Sequence, residues 1–159
     1  MKDALKKGFS FGLTSGVITT LGLMVGLESS TSSKLAVLGG IIAIAVADAF
    51  SDSLGMHISE ESEMKHTAKE VWQSTIATFI TKFVFAMTFA VPVLLFSLST
   101  AVIVDIAWGL LLITLYSIHL ARQEKIPAWK AVFEHVGIAV IVVIATHYLG
   151  HFIKGLGMA

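Results

Sequence analysis

Asp48, Asp52, Met56 and Glu60 recur at every fourth position. That spacing sets them in a line on one helix face, because residues i and i+4 lie one above the other. The surrounding residues, GGIIAIAVADAFSDSLGM, are those of a helix in hydrocarbon, where each ionised carboxylate costs roughly 2.5–3.5 kcal/mol on insertion scales. Two carboxylates one turn apart also repel when both are charged. A proton, a lysine or a metal cation would each offset that cost. A metal(II) ion and protons competing for the same oxygens is the minimum needed for proton-coupled exchange. Carboxylates with a thioether suit first-row transition metals better than magnesium or calcium, which prefer oxygen alone. The candidate metal-binding set is therefore Asp52, Asp48, Met56, Glu60, Glu63 and His57, with the central site expected at Asp52 and Met56. Glu60, Glu61, Glu63 and His66 could gather cations below that site, although a solvated helix end is the plainer reading of such a run.

Lys82 is the counterweight. It lies about 15 Å from the cytoplasmic end of its apolar stretch, and Asp48 lies about 15 Å from the same end of its own. Equal depth predicts a buried Lys82–Asp48 pair that leaves Asp52 unoccupied. If Lys82 neutralises Asp48 and Asp52 hydrogen-bonds serine or threonine hydroxyls, the chain is a non-transporting membrane protein, and a transporter of some other cation is a third reading. Asp105, about 7 Å below the outer face by helical rise, is shallow enough to reach headgroups or water. His147 and His151 have the i, i+4 spacing that can bind zinc, but no acid stands near them in the sequence, so they read as interfacial histidines. Glu134 and His135 fall at the level of the Glu60–His66 segment. There is no cysteine, which excludes thiolate chemistry. No phosphate-binding loop, hydrolase elbow or zinc-protease motif occurs, so the chain reads as a non-enzyme with no resident cofactor and no nucleic-acid partner.

The elements that must position these residues are membrane helices. The 159 residues are 55% hydrophobic and 14% charged, against about 25% charged in a soluble domain. Five apolar stretches, at about 8–27, 34–57, 72–97, 100–120 and 131–153, reach or approach the ~20 residues that cross ~30 Å of hydrocarbon. The expected fold is all-α: one integral domain of five transmembrane helices over residues 1–159, multi-pass in the cell membrane. With the N-terminus cytoplasmic and the C-terminus outside, Lys2, Lys6, Lys7, Lys65, Lys69, Arg122, Lys125 and Lys130 lie inside, and only Lys34 and Lys154 outside. That is the positive-inside pattern. The first stretch follows Lys6-Lys7 like a signal peptide, but ESSTSS offers no small-x-small cleavage site, and it is kept as a helix. Gly8, Gly12 and Gly16 would let another helix approach at backbone distance, either within the monomer or at a homodimer seam. The seam is the expectation carried forward. Thr14, Ser15, Thr19 and Thr20 read as hydroxyls bonded to their own backbone, and Pro92 should bend the third helix.

These stretches resemble the vacuolar iron transporter family. GLTSGVITTLGLMVGL is similar to its first-helix signature, and Ser51 to Gly55 followed by Ser62-Glu63 to its second-helix ending. TIATFITKFVFAMTFAVPVLL and WKAVFEHVGIAVIVVIATHYLGHFI are similar to its third and last helices. The resemblance covers almost the whole chain. It implies a homodimeric five-helix exporter of iron(II) or manganese(II), with zinc(II) or cobalt(II) as further candidates, exchanging metal for protons along a path at the dimer interface lined by the first two helices. Three positions depart from the family pattern. The family's first-helix Asp is Ser15 here, its second-helix Met is Asp52, and the acidic residue that usually follows Gly55 is Met56. The long cytoplasmic metal-binding segment of the plant members is reduced to about a dozen residues.

Overall fold

A computed structural model describes residues 2–157, all but the short connectors helical. Five helices are long and apolar enough to cross a membrane. We label them α1 (Lys2–Thr31), α2 (Lys34–Ser62), α3 (Ala68–Leu95), α4 (Leu98–Glu124) and α5 (Ala128–Gly155). Each is longer than the apolar stretch that announced it, because capping groups lie outside the hydrocarbon residues. Thr67 and Glu70 form a reciprocal capping box, which starts α3 at Ala68 instead of about residue 72. Ser33 accepts a bond from the Ala36 N–H and starts α2. The polar end of α1 stays helical while Ser30 and Thr31 donate back to the Gly26 and Leu27 carbonyls at 2.8 and 2.7 Å.

α1 is the axis of the bundle. It packs against all four other helices, most extensively α3 and α5. Half of its most apolar window is buried, against 11% for α5. Its glycines explain the arrangement and correct the expected seam. A Cβ at Gly8 would stand 2.3 Å from the Ser74 carbonyl oxygen, and one at Gly12 would stand 2.7 Å from that of Thr78. Gly8, Gly12 and Gly16 therefore admit α3 inside the monomer, and they are not free to form an outer seam. Leu13, Val17, Leu21 and Met24 of α1 join Ile41, Phe89 and Val93 in the core.

Two interruptions shape the helices around the candidate site. In α2, Ile44–Asp48 form a π turn, with the Ala49 N–H bonded to the Ile44 carbonyl. Positions four apart drift by ~40° per step in a regular α-helix. The wider turn absorbs that drift, so that Val37, Ile41, Ala45, Ala49 and Ser53 all stay buried. In α3, the helix is broken at Phe89. Pro92 has no N–H to give the Thr88 carbonyl, which accounts for the break. Lys34 then caps the end of α3 by donating to the Phe96 carbonyl at 3.0 Å.

Candidate functional site

Lys82 is fully buried on α3 and points between α1 and α2. An ammonium group has three N–H donors and no acceptor, and here each donor meets an oxygen. Asp48 Oδ2 lies 2.5 Å away, Ser15 Oγ accepts at 2.9 Å, and Asp52 Oδ2 is the third partner. Ser15 Oγ in turn donates to Asp52 Oδ2 at 2.5 Å. The expected Lys82–Asp48 pair is present, but the expectation that Asp52 stands free of it is corrected. Both carboxylates share the one lysine, because the four-residue spacing sets Asp48 and Asp52 on one side of α2 and that side faces α3. The two acids differ from the lysine in access. Their side chains keep 32% and 21% of their surface exposed, whereas Lys82 keeps none.

The other predicted ligands fall into separate places. Met56 is buried and lines a cavity of about 620 Å³ at the N-terminal end of the bundle, together with Thr14, Lys7, Tyr116, Glu124 and His135. Met56 is one turn from Asp52 and Thr14 adjoins Ser15, so this cavity leads toward the lysine cluster. His135 Nδ1 is 2.9 Å from Ser117 Oγ, and Tyr116 hydrogen-bonds Ser10. His57 faces away from Asp52: its Nδ1 is 3.0 Å from Thr75 Oγ1 and its ring packs on Trp72. Glu60 is buried and ion-paired with Lys7, with His66 Nε2 at 3.6 Å. Glu63 meets Lys7 at 3.2 Å and His66 at 3.4 Å. The hydrogen bond from Lys7, then its charge, holds the Glu63 carboxyl below the usual range. Through Glu60 and Glu63 the acid run clasps α1 to α2, while its Glu61–Glu63 end remains exposed as a solvated helix end would be.

Comparison with protein-family models, with curated proteins and with solved structures finds no match. The chemistry of the site has to come from its own geometry. Among the described residues, no three His, Asp or Glu side chains are grouped closely enough to hold a metal ion. One chain offers two membrane carboxylates already held by a lysine.

Two features escaped the sequence. Ser15 was grouped with its neighbours, and Thr14, Thr19 and Thr20 do bond their own backbone at 2.8, 2.8 and 2.6 Å. Ser15 alone crosses to another helix. Asp105 is the second. It is fully buried, neither of its oxygens has a hydrogen-bond partner, and so it is not the shallow interfacial acid expected. Helix rotation, not depth, decides this, because Asp105 shares the α4 face with the buried Ala101 and Val102.

Proposed function

We propose that the chain is a membrane transporter that exchanges a divalent transition metal, iron(II) or manganese(II), for protons, with Asp48, Asp52, Ser15 and Lys82 at its centre. The observation that carries this reading is one buried lysine shared by two partly open carboxylates. A structural Lys–Asp pair is neutral. This cluster, fully ionised, carries one surplus negative charge, which invites a further cation or proton. Lys82 is a tethered cation in the place a free one would take. A divalent ion at about 4 Å from the ammonium would be repelled by about 8 kcal/mol at an effective dielectric near 20, twice the figure for unit charges. Metal and charged lysine therefore exclude each other. When metal binds, Lys82 must swing away or give up its proton, and either step links metal entry to charge or proton movement.

The family resemblance supports the choice of metal, and the contact between Ser15 and Asp52 joins two of the three positions where the chain departs from the family pattern. The proposed path enters through the Met56 cavity. We further propose a homodimer, with the seam on α2. Gly39, Ala43, Ala47, Ser51, Gly55 and Ser59 form an exposed row of small residues at four-residue spacing, beside Asp48 and Asp52. Such rows let membrane helices meet at backbone distance. The second chain would bring two more carboxylates to the axis.

A second reading is favoured by one observation, the full satisfaction of all three Lys82 donors. It makes the cluster a staple joining α1, α2 and α3 in a non-transporting protein. Manganese(II) added to purified protein in weakly buffered detergent separates the two. Exchange predicts proton release on binding, abolished in Asp52→Asn. No binding, or binding without any proton release, leaves the staple reading standing.

A further inference from the structure

We infer that His147 and His151 form a divalent-metal site at the end of the bundle away from the N-terminus, oriented by Ser29 and Glu28. The two histidines are one turn apart on α5, and their rings meet edge to face with centroids 4.5 Å apart at 81°. The acid that the sequence did not place beside them comes from α1. Ser29 Oγ lies 3.4 Å from Glu28 Oε2 and 2.9 Å from His147 Nδ1. Ser29 engages His147 Nδ1 in either tautomer, so Nε2 is the ring nitrogen left for a metal. With a metal on Nε2, Nδ1–H donates to the serine oxygen, and the serine hydrogen can turn toward Glu28, which only accepts. A metal-ligating histidine is held in the same way, with its second nitrogen bonded to an oriented outer partner.

Ser29 is 3% exposed, so the relay is built into the packing of α1 on α5 and is not a chance surface contact. Glu28 and His147 also line one cavity of about 520 Å³ between α1, α4 and α5, with Ser99 and Tyr148. Glu28 is engaged with Ser29, so the protein supplies two nitrogens and water completes the shell. Imidazole pairs of this kind take zinc(II), copper(II), nickel(II) or iron(II) and leave magnesium and calcium aside. This site is distinct from the lysine cluster and does not depend on transport.

Zinc(II) titrated by calorimetry into the purified protein in detergent tests it, in the parent and in an Asp52→Asn background that disables the central site while Asp48 still pairs with Lys82. Zinc binding should persist there, and magnesium should not compete. His147→Gln and His151→Gln, both exposed positions, should each weaken binding at least tenfold. Ser29→Ala should weaken it about tenfold, at the low end of outer-partner effects, with both histidines still present. Size-exclusion profiles and helical circular dichroism identical to the parent show that the variants are folded. Zinc affinity unchanged in the His147→Gln, His151→Gln double variant would overturn the inference, as would no zinc binding by the parent. An unchanged affinity in Ser29→Ala would remove the orienting role of Ser29 and Glu28.

Discussion

Lys82 decides how the membrane acids of this chain are understood. Removing one partner of a buried ionic group costs about 3–5 kcal/mol, since the remaining charge is left uncompensated. Lys82→Met should therefore lower thermal stability markedly by leaving Asp48 and Asp52 facing each other. The exchange account adds a consequence that a staple lacks. With the tethered cation gone, manganese(II) should take its place and restore stability, by about 2.7 kcal/mol at a hundred times its dissociation constant. A variant whose melting temperature does not respond to manganese(II) would count against a cation site. Much of this was legible in the residues. The spacing of Asp48 and Asp52 set both acids on one face of an apolar helix, and equal depth predicted the Lys82–Asp48 contact. The sharing of Lys82 was not legible, because it depends on the rotation of α2 about its axis and on where the lysine side chain ends between the two acids. Neither leaves a mark in a four-residue repeat. Ser15 was hidden for a similar reason, since a membrane-helix hydroxyl has a carbonyl four residues back always within reach.

At the scale of the helix, the two rows of small residues have different roles. The α1 row is internal: α3 backbone already occupies the space beside Gly8 and Gly12. Gly12→Leu should collapse the monomer fold and reduce yield and melting temperature, whatever the oligomeric state. The α2 row is open, with nothing within 4 Å of a Cβ placed at Gly39 or Gly55. Ala47→Leu and Gly55→Leu should leave the monomer folded but shift the protein toward monomer on light scattering. A dimer unaffected by both changes would move the seam away from α2. The sequence shows that both rows permit close approach, but not which helix accepts it. That choice rests on which faces meet once five helices pack together, and the five apolar stretches are otherwise much alike. Helix ends were readable only in part, as the capping box at Thr67 lies five residues ahead of the apolar run it starts.

For the molecule as a whole, the five spans follow directly from hydropathy, and the distribution of lysine and arginine proposes the orientation. The absence of cysteine makes that orientation simple to check. Met64→Cys and Ser32→Cys place single thiols in the connectors at opposite ends of the bundle, where Met64 is 93% exposed. A cytoplasmic N-terminus predicts that a membrane-impermeant maleimide labels Ser32→Cys on intact cells and leaves Met64→Cys unlabelled. The reverse pattern would invert the direction proposed for the path. Whether the shared lysine serves transport is tested most directly in proteoliposomes carrying a metal-sensitive and a pH-sensitive dye inside. The account predicts that a manganese(II) gradient drives metal across the membrane with protons moving the opposite way. It also predicts that Asp52→Asn, which keeps shape and an acceptor oxygen but loses the charge, abolishes both signals while the fold is retained. Metal and proton movement in Asp52→Asn equal to that of the parent protein would contradict it.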